Sequence, residues 1–304
     1  MWKNNANFTA KRKACVIIKE YKCVEVRGIM KKVVFFDIDG TLVTRNNQVP
    51  KTTIKAIEQL KQNGVTPIIA TGRSPLLIKE IAQTLNIDSY ISMNGQYIVH
   101  EGKVVYSNPI EMDLVDQVVK VAVERDDGIL LSTNDEIIAN SLISLATRGK
   151  FFVFMKGLVR IIPEKIKLKL WERMMSNAPE KKDYADKEIF MMNINANPEK
   201  GLEYEELFSD VLTFTRANDI SMDIISKGIS KATGIQQMMD ILGVDRANTF
   251  AFGDGLNDME MLQYVGTGVA MANGYDALKE IADHVTDSVF NHGIAKGLKA
   301  LELI

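Results

Sequence analysis

Residues 33–43 read VVFFDIDGTLV, and the fold turns on how that stretch is read. Val33 to Phe36 form an unbroken apolar run, as expected for a parallel strand covered on both faces. The run ends at two aspartates, Asp37 and Asp39, with one isoleucine between them and Gly40-Thr41 behind. Residues two apart on an extended chain point to the same side. The spacing therefore predicts two carboxylates facing one way while Ile38 turns into the core.

Beyond this stretch, strands and helices alternate. A helix is expected over Thr53 to Gln62, with Ile54, Ile57 and Leu60 on one side and Asn63-Gly64 as its stop. Val65 to Ala70 reads as a second buried strand. Ser74-Pro75 is an N-cap and first-turn proline that opens a helix to Leu85. A third strand, Tyr90 to Met93, precedes a hairpin, Tyr97 to Tyr106, around Glu101-Gly102. Towards the C-terminus come a helix (Lys231 to Leu242), a strand (Thr249 to Phe252) and a short helix (Asp258 to Tyr264). A strand ending at Met271 and helices over Asp276 to Ala282 and Ile294 to Leu303 come last. This pattern predicts an α/β fold with a doubly wound parallel, Rossmann-like sheet, its core built from residues 30–109 and 226–304.

Residues 110–225 differ in character. Expected helices (Asp113 to Arg125, Pro163 to Asn177, Pro198 to Phe208) mix with runs such as GILLST, IFMMNIN, VLTFTR and ISMDII. Their alternation suits a sheet with one covered face, hence an inserted α+β cap domain. PEKKDYADKE (Pro179 to Glu188) reads as a solvated charged loop. The methionine pairs Met174-Met175, Met191-Met192 and Met238-Met239 read as core filler.

Composition narrows the function classes. Lys+Arg 37 against Asp+Glu 39 leaves a formal net charge of -2, with no electrostatic footprint for nucleic acid or an anionic membrane. No apolar run approaches membrane-spanning length. Cys15 and Cys23 form neither a disulfide framework nor a zinc site and read as free thiols in a reducing cytoplasm. The first 29 residues are basic, seven Lys/Arg against Glu20 and Glu25. They read as an extension to a protein starting naturally at Met30, whose MKKVVFFD opens the α/β pattern.

Three expected strands end in polar residues that core packing does not need. Asp37 and Asp39 follow the first, Thr71, Gly72 and Arg73 the second, and Gly253, Asp254, Asn257 and Asp258 a later one. In open parallel sheets ligands sit beyond the carboxyl ends of the strands, so these segments converge on one crevice. Clustered carboxylates require a cation, and hard oxygen donors beside a phosphate favour Mg²⁺. A lysine in the first turn of the helix at Lys231 would offset negative charge there, with Lys227 as the positional rival. Competing motifs fail on spacing: a calcium loop begun at Asp37 needs glutamate where Gln48 stands, and GTGVAM has Met271 where a dinucleotide fingerprint needs Gly or Ala.

DIDGT (Asp37 to Thr41), ATGR (Ala70 to Arg73), GISKATG around Lys231 and GDGLNDMEML (Gly253 to Leu262) resemble the four motifs of the haloacid dehalogenase superfamily. More narrowly, the chain resembles its Cof-type phosphatases, with a cap between motifs two and three. Only 30 positions separate Thr41 from Thr71, whereas 158 separate Arg73 from Lys231, so the cap belongs in the later gap. The resemblance implies a phosphatase acting on small phosphorylated metabolites. In it Asp37 is the nucleophile, Asp39 the acid/base, and Asp37, Asp39 (through its backbone carbonyl), Asp254 and Asp258 hold Mg²⁺. Thr71, Gly72, Lys231 and Asn257 bind phosphoryl oxygens, while Arg73 and Asn94 stand at the cap interface. Two alternatives stay open: a sugar phosphomutase or phosphotransferase of the same superfamily, and a non-catalytic phospho-acceptor switch.

Overall fold

The computed structural model describes residues 31–139, 178–216 and 221–304. The basic N-terminal segment, the helix expected from Pro163 to Asn177 and the Met174-Met175 pair lie outside them. In chain order the strands are β1 (Val33–Phe36), β2 (Thr66–Ala70), β3 (Tyr90–Ser92), β4 (Tyr97–His100), β5 (Lys103–Ser107), β6 (Ile129–Ser132) and β7 (Ile137–Ile138). They continue with β8 (Met191–Ile194), β9 (Leu212–Thr215), β10 (Met222–Ser226), β11 (Thr249–Gly253), β12 (Thr267–Met271) and β13 (His284–Thr286).

The larger sheet runs β13-β12-β11-β1-β2-β3-β4-β5, parallel from β13 to β3 and antiparallel from β3 to β5. Its central strand is apolar throughout because both faces are covered. Val34 and Phe36 pack with Ile57 and Leu60 of helix Lys51–Gln62 and with Leu298 of helix Gly293–Ala300. Val33 and Phe35 pack on the opposite face with Ile235 and Met238 of helix Lys231–Leu242 and with Met261. Burying each such side chain contributes about 1.5–3 kcal/mol, which makes β1 a rigid support for the two aspartates beyond its end.

The smaller sheet is antiparallel, in the order β7-β6-β8-β10-β9. One of its faces carries Leu131, Met192, Ile194, Met222 and Ile224, which share a core with helices Met112–Glu124 and Pro198–Phe208. The alternating residues Met191, Asn193 and Asp223 face the other way and line a cavity bordered by the larger sheet. A separate cluster of Met93, Tyr97, Phe190, Met191 and Ile225 packs the two sheets together. Gln96 Nε2 adds hydrogen bonds to the Phe190 carbonyl and Ser226 Oγ, both at 2.9 Å.

Three local expectations change. The charged stretch from Pro179 contains a short helix, Lys181–Tyr184, because Tyr184 is buried and donates to Asp116 at 3.1 Å. Ser74 does precede a helix that starts at Pro75, but its hydroxyl makes no capping bond and is buried instead. The strand His284–Thr286, which the sequence reading omits, closes one sheet edge. It is short and mostly exposed, so it lacks the apolar run that marks the central strands.

Candidate active site

The polar residues after β1, β2 and β11 and the start of helix Lys231–Leu242 meet at one edge of the larger sheet. The Asp37 N–H donates to the Phe252 carbonyl at 2.9 Å, extending the β1–β11 ladder one residue beyond the strand. Asp37 is thereby held as firmly as the strand. After it the chain turns sharply: the Ile38 carbonyl accepts from the N–H groups of Thr41, Leu42 and Val43 at 3.3, 3.0 and 2.9 Å. Asp39 therefore belongs to a turn, and the strand pleat does not aim it. Both carboxylates still line one cavity, but Asp37 is buried whereas the Asp39 side chain is 65% exposed. Burial first, then the Asp258 charge, raises Asp37 well above the usual carboxylate range, with Lys231 opposing.

Lys231 is fully buried, with Nζ 2.6 Å from Asp37 Oδ1 and 2.6 Å from Asp258 Oδ1. Burial by itself lowers its pKa, but the charges of Asp258 and Asp37 outweigh that and hold it above the ordinary lysine value. The helix start, which disfavours a cation, is compensated by these two carboxylates. Of the two lysines the sequence offers, Lys231 lies among these carboxylates, whereas Lys227 donates to the Ser209 carbonyl.

Asp258 Oδ2 accepts from the N–H groups of Asp254 and Gly255 at 3.0 and 2.9 Å, fixing the loop after β11. Asp254 accepts from the Thr41 hydroxyl at 3.3 Å and from Asn273 Nδ2 at 3.2 Å. Burial, followed by the Asp258 charge, pushes its carboxyl up to about 7. Gly40, at φ +78°, passes so close that a Cβ would overlap Asp254 Oδ2. Only glycine satisfies both the left-handed turn and this approach.

Asp37, Asp254 and Asp258 each offer an oxygen, all within 4.8 Å of one another. Three carboxylates face the Lys231 ammonium, and burial, reinforced by the Asp258 charge, raises the pKa values of Asp37 and Asp254. An all-oxygen, net-anionic donor set of this kind fits a divalent hard cation.

The loop after β2 is held by the Thr71 N–H on the Ile91 carbonyl (2.9 Å), the Asn94 N–H on the Thr71 carbonyl (3.1 Å) and the Met93 N–H on the Arg73 carbonyl (3.1 Å). Arg73 reaches Asp39 with two bonds, Nε to Oδ2 at 2.8 Å and Nη2 to Oδ1 at 2.5 Å, and also contacts Asn47 Oδ1 at 2.8 Å. Arg73, expected at the cap interface, is a partner of Asp39 and lines the cavity that cap residues Met191, Asn193 and Asp223 also line. Asn94 does stand at the junction of the two sheets, where its Nδ2 donates to Asp223 Oδ2 at 3.0 Å. A cavity of about 660 Å³ joins these groups, lined by Asp37, Asp39, Thr71, Gly72, Asp254 and Asn257 from the larger sheet.

Residues 34–298 match the family of haloacid dehalogenase-like hydrolases. The chain belongs to that family. It is 36% identical over 275 residues to YkrA of Bacillus subtilis strain 168, whose name assigns it provisionally as a phosphatase; the match covers 90% of this chain and 98% of YkrA. It is 27% identical to a 5-amino-6-(5-phospho-D-ribitylamino)uracil phosphatase, YcsE, of the same organism, over 88% of this chain and 94% of the other. The solved structure of the subclass IIB sugar phosphatase BT4131 superposes with a TM-score of 0.73 at 26% identity, covering 90% of this chain and all of that one. The Cof-type resemblance and the α/β core with a separate antiparallel cap sheet are borne out, and haloacid dehalogenase-like phosphatases use a divalent metal. Among the described residues no helix is long and apolar enough to cross a membrane.

Three further polar residues line this cavity without having been expected there from the sequence. Asn273 follows β12 and donates to both Gly40 O and Asp254. Asn193 and Asp223 lie on cap strands as polar interruptions of IFMMNIN and ISMDII. A period of two, applied to those runs, places both on the face opposite Met192 and Met222. Met191 shares that face, so it lines the cavity as well as packing between the sheets.

Proposed function

We propose that the chain is a Mg²⁺-dependent phosphatase that hydrolyses small phosphomonoesters through an aspartyl-phosphate on Asp37. The observation that carries this reading is the buried Asp37–Lys231–Asp258 bridge at the end of β1, with Asp254 alongside. The ladder bond to Phe252 fixes the Asp37 backbone, and Lys231 holds its Oδ1 and offsets part of the charge a phosphoryl group brings. Thr71, Gly72 and Asn257 line the same cavity and serve the phosphoryl oxygens. Asp39, exposed enough to meet both leaving group and water, donates a proton to the departing oxygen and later takes one from the attacking water. Asp37, Asp254 and the Asp39 backbone carbonyl would hold the cation. Asp258, which also bonds Lys231 and two backbone N–H groups, positions Asp254 and would join the cation directly or through water. Mg²⁺ at this site supplies charge neutralisation between an anionic carboxylate and an anionic phosphoryl group.

The reading places the core at residues 30–109 and 226–304, the cap at 110–225 and the protein in the cytoplasm. Asp37→Asn should abolish phosphate release from a panel of phosphomonoesters while leaving the circular dichroism spectrum unchanged. Retained turnover would refute the nucleophile. Transfer of phosphate to an added sugar in preference to water would make it a phosphotransferase.

A further inference from the structure

Asn273 sits in the tight turn after β12, where the Gly274 N–H donates to the Met271 carbonyl at 2.9 Å. This turn presses on Asp254. A Cβ on Gly274 would lie 2.8 Å from the Asp254 carbonyl oxygen, and the Tyr275 N–H donates to that oxygen at 3.2 Å. The Asn273 side chain then joins three segments far apart in the chain. Its Oδ1 accepts from the Val289 N–H at 2.8 Å. Its Nδ2 donates to the Gly40 carbonyl at 2.9 Å and to Asp254 Oδ2 at 3.2 Å.

The Val289 bond decides what this amide can do. Val289 is 3% exposed and belongs to the core cluster that contains Phe252 and Met271, so its N–H is a fixed donor. It takes the amide oxygen, and the nitrogen end is left facing Gly40 and Asp254. An amide NH₂ is a donor only, whereas a hard cation takes oxygen ligands. Asn273 is therefore no ligand itself. Its two donor bonds instead tie together two parts that the cation requires: the Asp254 carboxylate, and the turn in which Asp39 immediately precedes Gly40. The Thr41 hydroxyl, from the same turn, holds the other Asp254 oxygen at 3.3 Å. Contacts of this kind orient the ligands of a metal and tune its affinity. We propose that Asn273 is a positioning residue for the divalent cation, setting the separation between the Asp254 carboxylate and the turn that carries the Asp39 carbonyl. This rests on the metal-dependent phosphatase reading above and adds a residue that none of the four motifs contains.

Asn273 is exposed, so truncating it opens no cavity in the core. Calorimetric titration of Mg²⁺ into the EDTA-stripped full chain, beside steady-state hydrolysis of phenyl phosphate, supplies the test. Asn273→Ala and Asn273→Leu, the second close to the native shape but without donors, should each weaken Mg²⁺ binding by about 10- to 100-fold, as when an outer partner of a metal ligand is lost. The Mg²⁺ concentration for half-activation should rise by the same factor, and excess Mg²⁺ should restore turnover. The rise in melting temperature on adding Mg²⁺ should shrink in both variants, because that stabilisation follows the ratio of free ligand to Kd. A Kd unchanged within about twofold, with or without a loss of turnover, overturns the positioning role and leaves the phosphatase reading standing. If the native protein binds no Mg²⁺ and keeps its turnover in EDTA, the metal reading fails first and the role of Asn273 with it.

Discussion

Replacing Lys231 by methionine removes one charge from the centre of the site and keeps most of the side chain's length. The ammonium lies 2.6 Å from both Asp37 and Asp258, and the lysine and Asp258 side chains are fully buried. Breaking a buried pair from one side costs about 3–5 kcal/mol. Here the lower end applies, because Asp37 already has a raised pKa and relieves part of the strain by taking a proton. A loss of about 3 kcal/mol lowers the melting temperature by about 6–12 °C for a chain of this size class. The penalty should grow in EDTA as pH rises through about 7, where Asp254 gives up its proton. It should shrink at pH 5, as Asp254 gains a proton, and shrink again with saturating Mg²⁺ at pH 7. Turnover should fall by about 10²- to 10³-fold, as when a preorganised donor to the phosphoryl oxygens is lost. Thermal melts of native and variant protein at the two pH values, with EDTA and with Mg²⁺, supply the test. A variant within about 1 kcal/mol of the native protein at pH 7 in EDTA, or a penalty no smaller at pH 5, refutes the assignment of Lys231 as the buried counter-charge.

The metal-free native protein should itself be pH-sensitive. Asp37 and Asp254 have folded pKa values above their unfolded ones, so the stability they contribute is complete below the unfolded values and is lost as pH rises through the folded ones. For Asp254, raised from 3.8 to about 7, that amounts to as much as about 4 kcal/mol at full effect, less for its partial solvent contact. The melting temperature in EDTA should therefore fall between pH 5 and pH 8 and flatten in Asp254→Asn; a slope unaffected by that substitution contradicts the reading. Gly40→Ala should displace Asp254 and raise the Mg²⁺ concentration for half-activation by about tenfold or more, reflecting about 1–3 kcal/mol of backbone strain plus the overlap. An unchanged Mg²⁺ activation curve speaks against that contact.

Legibility in the sequence followed the range of the physics. The run from Val33 to Phe36 announced a strand buried on both faces, and Val33 and Val34 do pack on opposite faces of the sheet. The motifs after β1, β2 and β11 were visible because each ends a strong apolar run with residues that packing does not require. The helix Lys181–Tyr184 was missed because one buried tyrosine, not composition, decides it. The amide holding Asp254, from Asn273, arrives from beyond a separate strand, and no local pattern marks it.

The order of residues along the chain is enough to show that a rigid parallel strand carries two aspartates, that an acidic motif and a lysine lie on later elements, and that a cap interrupts the core. Those features are local: apolar runs, side-chain periods and spacing along the chain. Folding in three dimensions selects which lysine is buried between Asp37 and Asp258, pairs Arg73 with Asp39, and brings Asp223 and Asn193 of the cap to Asn94 of the core. Each of the latter is a contact between segments far apart in sequence. Their energies depend on burial and distances of a few ångström, and only the assembled fold sets these.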